Sequence, residues 1–439
     1  MRKAGSHMQT ILEAIAARSK SEKTHRFDNL YELLNESNLR WAFYQLRKKA
    51  AAGVDGVTWK EYEEGLQKNL QDLVERLKRK SYHAKLVKRK YIPKINGKLR
   101  PLGIPVVEDK IIQLAVARIL ESIFDGHFYS GSYGYRRGIG AKDAIHDLQF
   151  ALNFGTFGYV VEADIKGFFD NIDHDWMIRM LEHRVKDSSL IRLIQKWLKA
   201  GILDDGIVIN PTTGTPQGGI VSPILANIYL HYALDIWFQQ TIKPKCRGKC
   251  VLVRYADDYV AAFQYQDEAR WFYEEQASRL KKFCLEVAPE KTNLIRFNRF
   301  NLDHGKAFEF LGFSFHWRKA RSGKPVVTLT TAKKKFKASL ASFTVWIKKN
   351  RSKRINVLMK TLKLKLQGYW NYYGVTGNSR MLRSLYHQVY LLLFKWLNRR
   401  SQRKSYSMGG LTAMLKFFNI PQPKIASFSF PQQRRLQWT

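Results

Sequence analysis

Two adjacent carboxylates, Asp257 and Asp258, interrupt the apolar run CVLVRYADDYVAAFQY at residues 250–265. Like charges repel, and burying them costs on the order of several kcal/mol per ion. The run reads as strand, tight turn, strand, with the pair at the turn. There Asp257 is expected to point to one face and Asp258 to sit at the rim. A third carboxylate, Asp164, ends the strand in GYVVEADIKGFFD. Three acids within a few ångström stay ionised together only beside a cation. Hard oxygen donors select Mg²⁺ or Mn²⁺. Two such ions about 3.5–4 Å apart are a known device for in-line phosphoryl displacement. One activates an attacking hydroxyl, and the other steadies a leaving pyrophosphate. An Asp-Asp pair alone is a weak signal, because turns favour Asp for local hydrogen bonding.

The rest of the chain fits a polyanionic substrate. Its 439 residues imply two or three domains. Hydrophobics at 45% and aromatics at 13% argue for globular folding. The net charge of +38 points to nucleic acid before membrane. The charge is uneven: no Asp or Glu follows Glu309, yet that tail holds 27 of the 75 Lys and Arg residues. It also carries Trp346, Trp370 and Trp396, so it reads as folded helices with a basic surface. Without phosphates to neutralise it, such a surface repels itself. Three cysteines, Cys246, Cys250 and Cys284, are too few for a disulfide framework and suit a reducing compartment. Cys246-x3-Cys250 has no second pair to complete a metal site. No long apolar run or signal-peptide core is evident, so a soluble intracellular protein is expected. GSHM at residues 5–8 looks like a cloning scar, and residues 1–8 are left out of the fold expectation.

The patterning predicts an α+β first part and an α-helical last part. Residues 9–50 read as helical, with Asn35 or Ser37 as caps. The stretch KLVKRKYIPKINGKLRPLGIP reads as a basic hairpin around Asn96-Gly97. DKIIQLAVARILESIFDGHF reads as a helix opening at Asp109. A Gly/Pro loop, NPTTGTPQGG, feeds a long apolar helix, and from about residue 333 the pattern is helical and basic. No phosphate loop of the Gly-x4-Gly-Lys-Ser kind occurs.

Six blocks, in order, carry a specific resemblance: IPKINGKLRPLGIP (92–105), SYGYRRGIGAKDAI (132–145), ADIKGFFDNIDH (163–174), TPQGGIVSPILANIYL (215–230), YADD (255–258) and FEFLGF (308–313). Together they resemble the group II intron reverse transcriptase/maturase family over about residues 30 to 430. The resemblance implies a right-hand polymerase. Its expected parts are an N-terminal extension (1–30), mainly fingers (31–160), mainly palm with the YADD hairpin (161–320), a helical thumb or maturase domain (330–400) and a short basic segment (401–439). LQGYWNYYGVTG (366–377) is similar to the family's thumb signature.

By the same resemblance, Asp164, Asp257 and Asp258 are the catalytic metal ligands for two Mg²⁺ ions, with Mn²⁺ as an alternative. Phe169 lies where the family keeps a ring that clashes with a ribose 2′-hydroxyl; equally, Phe168 and Phe169 could both be core. Gln217, Arg100, Lys94 and Lys291 are expected at the nucleotide. Gly218, Gly219 and Tyr255 are expected along the template–primer, the glycines letting backbone approach it closely. Implied partners are an RNA template, a DNA primer, dNTPs and structured RNA such as an intron, with no membrane. The implied location is the bacterial cytoplasm or nucleoid. No paired cysteines or His-Asn-His cluster follow residue 400, so second-strand cleavage is not expected. Two other roles fit the same residues: an RNA-binding splicing cofactor, or a domesticated enzyme of defence or repair. The oligomeric state stays open.

Overall fold

The computed structural model describes residues 2–93, 99–215, 218–300, 306–400 and 405–425. The first strands in chain order are β1 (Val87–Pro93), β2 (Leu99–Ile104), β3 (Tyr159–Asp164), β4 (Ile202–Asp204), β5 (Ile207–Ile209) and β6 (Cys250–Tyr255). They are followed by β7 (Asp258–Phe263), β8 (Asn293–Arg296), β9 (Phe308–Phe310), β10 (Phe313–Lys319) and β11 (Pro325–Thr331). Three sheets result, ordered β2-β1-β4-β5, β6-β7-β3-β8 and β11-β10-β9. The fold is α+β, as the sequence predicts.

The middle sheet is antiparallel and buried on both faces. Val161, Ala163, Leu252, Tyr259 and Phe263 pack into one core with helices Val107–Phe124, Ser222–Leu230 and Gln266–Lys281. The alternate residues Val160, Val251, Val253, Val260 and Ala262 pack into a second core with Phe308, Phe313 and Phe315. Strand side chains alternate between faces. A strand covered on both sides therefore reads as a continuous apolar run. Asp164 and Asp258 lie at the ends of these strands, while Glu162 stands inside β3.

Helices Lys333–Asn350, Ile355–Tyr373 and Ser379–Leu397 form a third core, with Met408–Phe417 against them. Leu358, Leu362 and Leu366 recur at helical spacing, and so do Leu382, Leu385, Val389 and Leu393, all buried. Among the described residues, no helix is long and apolar enough to cross a membrane.

Several local expectations change. Asn35 caps helix Glu36–Gln45, its Oδ1 accepting from Asn38 N at 3.1 Å. Asp109 does not open its helix, which starts at Val107. Its carboxylate is instead buried, accepting from the Tyr82 hydroxyl at 2.5 Å and Lys85 N at 3.2 Å. The N-terminal helix, Arg2–Ser21, runs through GSHM, and Met8 is buried. Cys246 and Cys250 are free thiols, hydrogen-bonded to each other. β1 and β2 pair antiparallel, while the Asn96-Gly97 turn lies outside the described residues. Strands β4, β5 and β11 were not foreseen; the first two are three residues long and leave little period to read.

The helical part joins the third sheet through Asn378, which is fully buried. Its Oδ1 accepts from Thr331 N at 2.9 Å, and its Nδ2 donates to Thr331 Oγ1 at 2.9 Å and Tyr373 O at 2.8 Å. Asn378→Ala leaves a buried N–H and a buried carbonyl without that partner. The expected loss is about 1–3 kcal/mol of stability, read as a lower urea midpoint by tryptophan fluorescence.

Candidate active site

β6 and β7 close on Tyr255 opposite Asp258, so Ala256 and Asp257 form a two-residue turn. Ala256 has φ +56°, a left-handed conformation. That conformation costs roughly 1–2 kcal/mol for a residue with a Cβ, so the surroundings must hold it. Arg254 does so from below. Its side chain is wholly buried, and Nη1 donates to Ala256 O at 3.0 Å and Asn227 Oδ1 at 3.3 Å. Its Nε and Nη2 grip the equally buried Asp235 at 2.8 and 2.6 Å. Asn227 in turn donates to Gly134 O at 2.7 Å. A Cβ on Gly134 would come within 2.4 Å of Ala256 N, so only glycine lets these backbones meet. Arg254 N donates to Gly131 O at 2.8 Å, and Tyr133 N donates to Arg254 O at 2.9 Å. Segment 131–134 thus braces the outer edge of β6.

Asp258 faces Asp164 directly across the β3–β7 ladder, and Asp257 stands beside them in the turn. Burial pushes the Asp258 carboxyl up to about 8, helped by the charges of Asp164, Asp257 and Glu162. Asp257 is also raised, first by burial and then by Asp164, against the pull of Arg100 and Lys291. Glu162, two residues before Asp164 on the same strand face, is raised to about 7 by burial, against a hydrogen bond with the Glu309 backbone and with a smaller push from the Glu309 charge. Among the described residues, one ammonium meets the cluster: Lys291 Nζ donates to Asp164 Oδ2 at 2.5 Å. Among those residues the acids outnumber the cations around them. Among the described residues, no group of three or more His, Cys, Asp or Glu is gathered closely enough to hold a metal ion as it stands. The donors are nonetheless hard carboxylate oxygens under mutual repulsion, which fits a divalent cation that would displace Lys291 from Asp164.

Phe168 and Phe169 are both buried. The Phe169 ring meets Tyr135 edge-on at 6.3 Å, and Tyr135 is half-exposed toward Asp257. Burial raises the Tyr135 hydroxyl, and the Asp257 charge adds to it. Arg100 is exposed on β2, opposite Ile92, and its charge reaches Asp257. Gly218 has φ +118°, and a Cβ there would lie 2.5 Å from Gly103 O. Its close approach is to the chain's own β2, and Gly219 beside it is buried. Lys94 and Gln217 lie outside the described residues. The loop before Gln217 docks on Phe169: Thr215 N donates to Phe169 O at 2.8 Å, and Gly214 N to Ile172 O at 2.7 Å.

The sequence reading assigned nothing to Arg254, Asp235, Asn227, Tyr135 or Tyr372. Arg254 directly precedes YADD inside an apolar strand, and a buried arginine needs a partner; that signal was available. Asp235 was harder to see. It closes a wide helical turn, His231–Asp235, whose extra residue shifts the face that follows. Tyr372 reaches the site from the helical part. Its hydroxyl donates to Leu311 O at 2.8 Å, and its ring stacks on Phe313 at 5.8 Å. Burial raises that hydroxyl, with Tyr373, Tyr255 and Asp258 adding to the effect.

A family model described as reverse transcriptase (RNA-dependent DNA polymerase) matches residues 92–315, and one described as group II intron, maturase-specific domain matches residues 333–413. The chain belongs to the group II intron reverse transcriptase/maturase family. The group II intron-encoded protein LtrA of Lactococcus lactis subsp. cremoris is 28% identical, over 92% of this chain and 80% of that protein. Protein YkfC of Escherichia coli is 31% identical, over 68% of this chain and 84% of that protein. An uncharacterised 91 kDa protein in the cob intron of Schizosaccharomyces pombe is 35% identical, over half of this chain and 27% of that protein. The reverse transcriptase is therefore an RNA-directed DNA polymerase with a maturase domain, and its family generally uses divalent metal ions.

Two outcomes follow from this geometry. Asp235→Ala strands the Arg254 charge in the interior, and the expected cost is about 3–5 kcal/mol, checked by urea unfolding. Asp258 binds its proton more tightly when folded than an ordinary carboxylic acid does. Between about pH 4 and pH 8 the folded chain thus holds a proton that the unfolded chain has released, and stability falls as pH rises. Glu162 acts in the same sense. Without divalent ions the melting midpoint should fall across that window, and Asp258→Asn should flatten the fall. Added divalent ion should restore the midpoint at the alkaline end for wild type only.

Proposed function

We propose that the enzyme extends a DNA primer along an RNA template at Asp164, Asp257 and Asp258, using dNTPs and two Mg²⁺ ions. The observation that carries this reading is the meeting of three under-neutralised carboxylates at adjoining strand ends, on a turn braced by a buried arginine. Bound there, the ions would supply charge neutralisation and activation of the primer hydroxyl. The chain's residues do the rest. Asp164, Asp257 and Asp258 hold the cations and orient the primer end. Lys291 and Arg100 stand beside them with charge for the triphosphate. Phe169, buttressed by Tyr135, limits the room beside the sugar. The acid-free helices after residue 333 hold the template–primer through its phosphates, which reads shape and not sequence. The same surface would clamp intron RNA for splicing, and the maturase-specific match favours that second role.

Primer extension on an RNA template tests the polymerase reading. Wild type with Mg²⁺ should incorporate dNTPs, and chelation should stop it. Asp257→Ala with Asp258→Ala should lose at least about a hundredfold in rate, which corresponds to roughly 3 kcal/mol of transition-state stabilisation. Phe169→Ala should admit rNTPs that wild type rejects. Synthesis that survives loss of both carboxylates would sink the assignment. Splicing of the cognate intron should be unchanged by Asp257→Ala; a parallel loss would mean that the two roles share the carboxylates.

A further inference from the structure

A cavity of about 610 Å³ lies at the outer end of the helical part, lined by Tyr386, His387, Tyr390, Lys416, Asn419 and Gln422 among others. It sits between helix Ser379–Leu397 and helix Met408–Phe417 with the turn that follows. Its size is in the range of small-ligand sites, about 300–1,000 Å³. None of the residues named above for the carboxylate site or the nucleotide lines it.

The lining has a consistent chemistry. Tyr386 and Tyr390 are one helical turn apart, so both rings face the cavity wall. Both are held in place. The Tyr390 hydroxyl donates to Met408 O at 2.8 Å and lies 3.0 Å from Thr412 Oγ1. Gln422 Nε2 donates to the Tyr386 hydroxyl at 2.9 Å, and Trp370 backs the Tyr386 ring at 6.4 Å. His387 is exposed beside them, and the Asn419 and Gln422 amides bring both donors and acceptors. Lys416 stands at the rim, with no Asp or Glu on either helix or anywhere after Glu309. Next to it Phe417 is 80% exposed, a ring with open space for stacking.

Rigid rings for stacking, amides for a base edge and one ammonium for a phosphate make up a nucleotide site. We infer that this pocket takes a single unpaired RNA nucleotide, its base against Tyr386 and Tyr390 and its phosphate at Lys416. A base inside a duplex has both faces covered, so the nucleotide must be bulged or looped out. The inference rests on the RNA-binding role of the maturase domain and adds to it a preference for RNA with an extruded base.

The test uses the full chain and two RNA hairpins of about 16 base pairs, a length that a shape-reading protein can span. One hairpin carries a single bulged 2-aminopurine; the other has no bulge. Wild type should bind the bulged hairpin about tenfold more tightly, the expected worth of one stacked base, and should quench its fluorescence. Tyr386→Ala, with its melting midpoint checked, removes a stacking ring and should bring the two affinities within about twofold. His387→Ala with Gln422→Ala removes groups at the base edge and should narrow the preference in the same direction. Affinity for the unbulged hairpin should be unchanged. Equal wild-type affinities, or a preference that survives both variants, overturn the pocket. Failure to bind even the unbulged hairpin sinks the RNA-binding reading beneath it, and the pocket with it.

Discussion

The guanidinium of Arg254 has no access to water, and neither has the carboxylate of Asp235 that it grips. Alone in that interior each ion would cost several kcal/mol, on the order of the whole margin of a domain's stability. Paired, they gain little net stability, because attraction mainly offsets desolvation. What the pair provides is position. Four of the five N–H donors of Arg254 are committed, two to Asp235, one to Asn227 and one to the carbonyl of Ala256. The last of these fixes the left-handed turn that carries Asp257. A hydrophobic substitute of similar volume would fill the space without pinning that carbonyl.

The sheet explains why the acids stand where they do. With both faces of β3, β6 and β7 buried, their middles are almost wholly apolar, Glu162 on β3 and Arg254 on β6 being the charged exceptions. Asp164 and Asp258 occupy strand ends, where one direction is open. They are still buried enough that Asp258 resists ionisation. A cluster that repels itself is a site whose stability depends on what neutralises it. Lys291 relieves Asp164, and the deficit at Asp257 and Asp258 is what a divalent cation would meet. This is an instance of a local cost concentrated where chemistry is proposed.

How much of this was legible follows from the kind of signal each part left. YADD, the VVEAD strand end and the six ordered blocks carry their chemistry in residue type and short spacing, so the carboxylates and the α+β fold could be read directly. The helical tail was equally plain from its period and its lack of acid. The bracing was less visible, because it depends on contacts between distant residues. Asp235 meets Arg254 only after a wide helical turn, and Gly134 meets Ala256 across more than a hundred residues. Asp109 shows the opposite failure. Its position suggested a helix opening by local rule, yet burial against Tyr82 overrode it. Gly218 was read for close approach to a template, and the contact it makes within the chain, against Gly103, spans more than a hundred residues.

The charge distribution links the two ends of the molecule. The acids lie in the first 309 residues, three of them at the site, and the tail of +27 has none. A nucleic acid held at the tail through its phosphates releases its condensed counter-ions there. The two surfaces are mechanically joined as well. Tyr372 ties the helix Ile355–Tyr373 to the Leu311 carbonyl and lies near Asp258, and Asn378 fixes the next helix to β11. A duplex held by the helices, as proposed, would therefore be held in a defined relation to the carboxylates. Both joints are hydrogen bonds of ordinary length between rigid elements, so the grip on such a duplex and the placing of its end would be one geometric constraint.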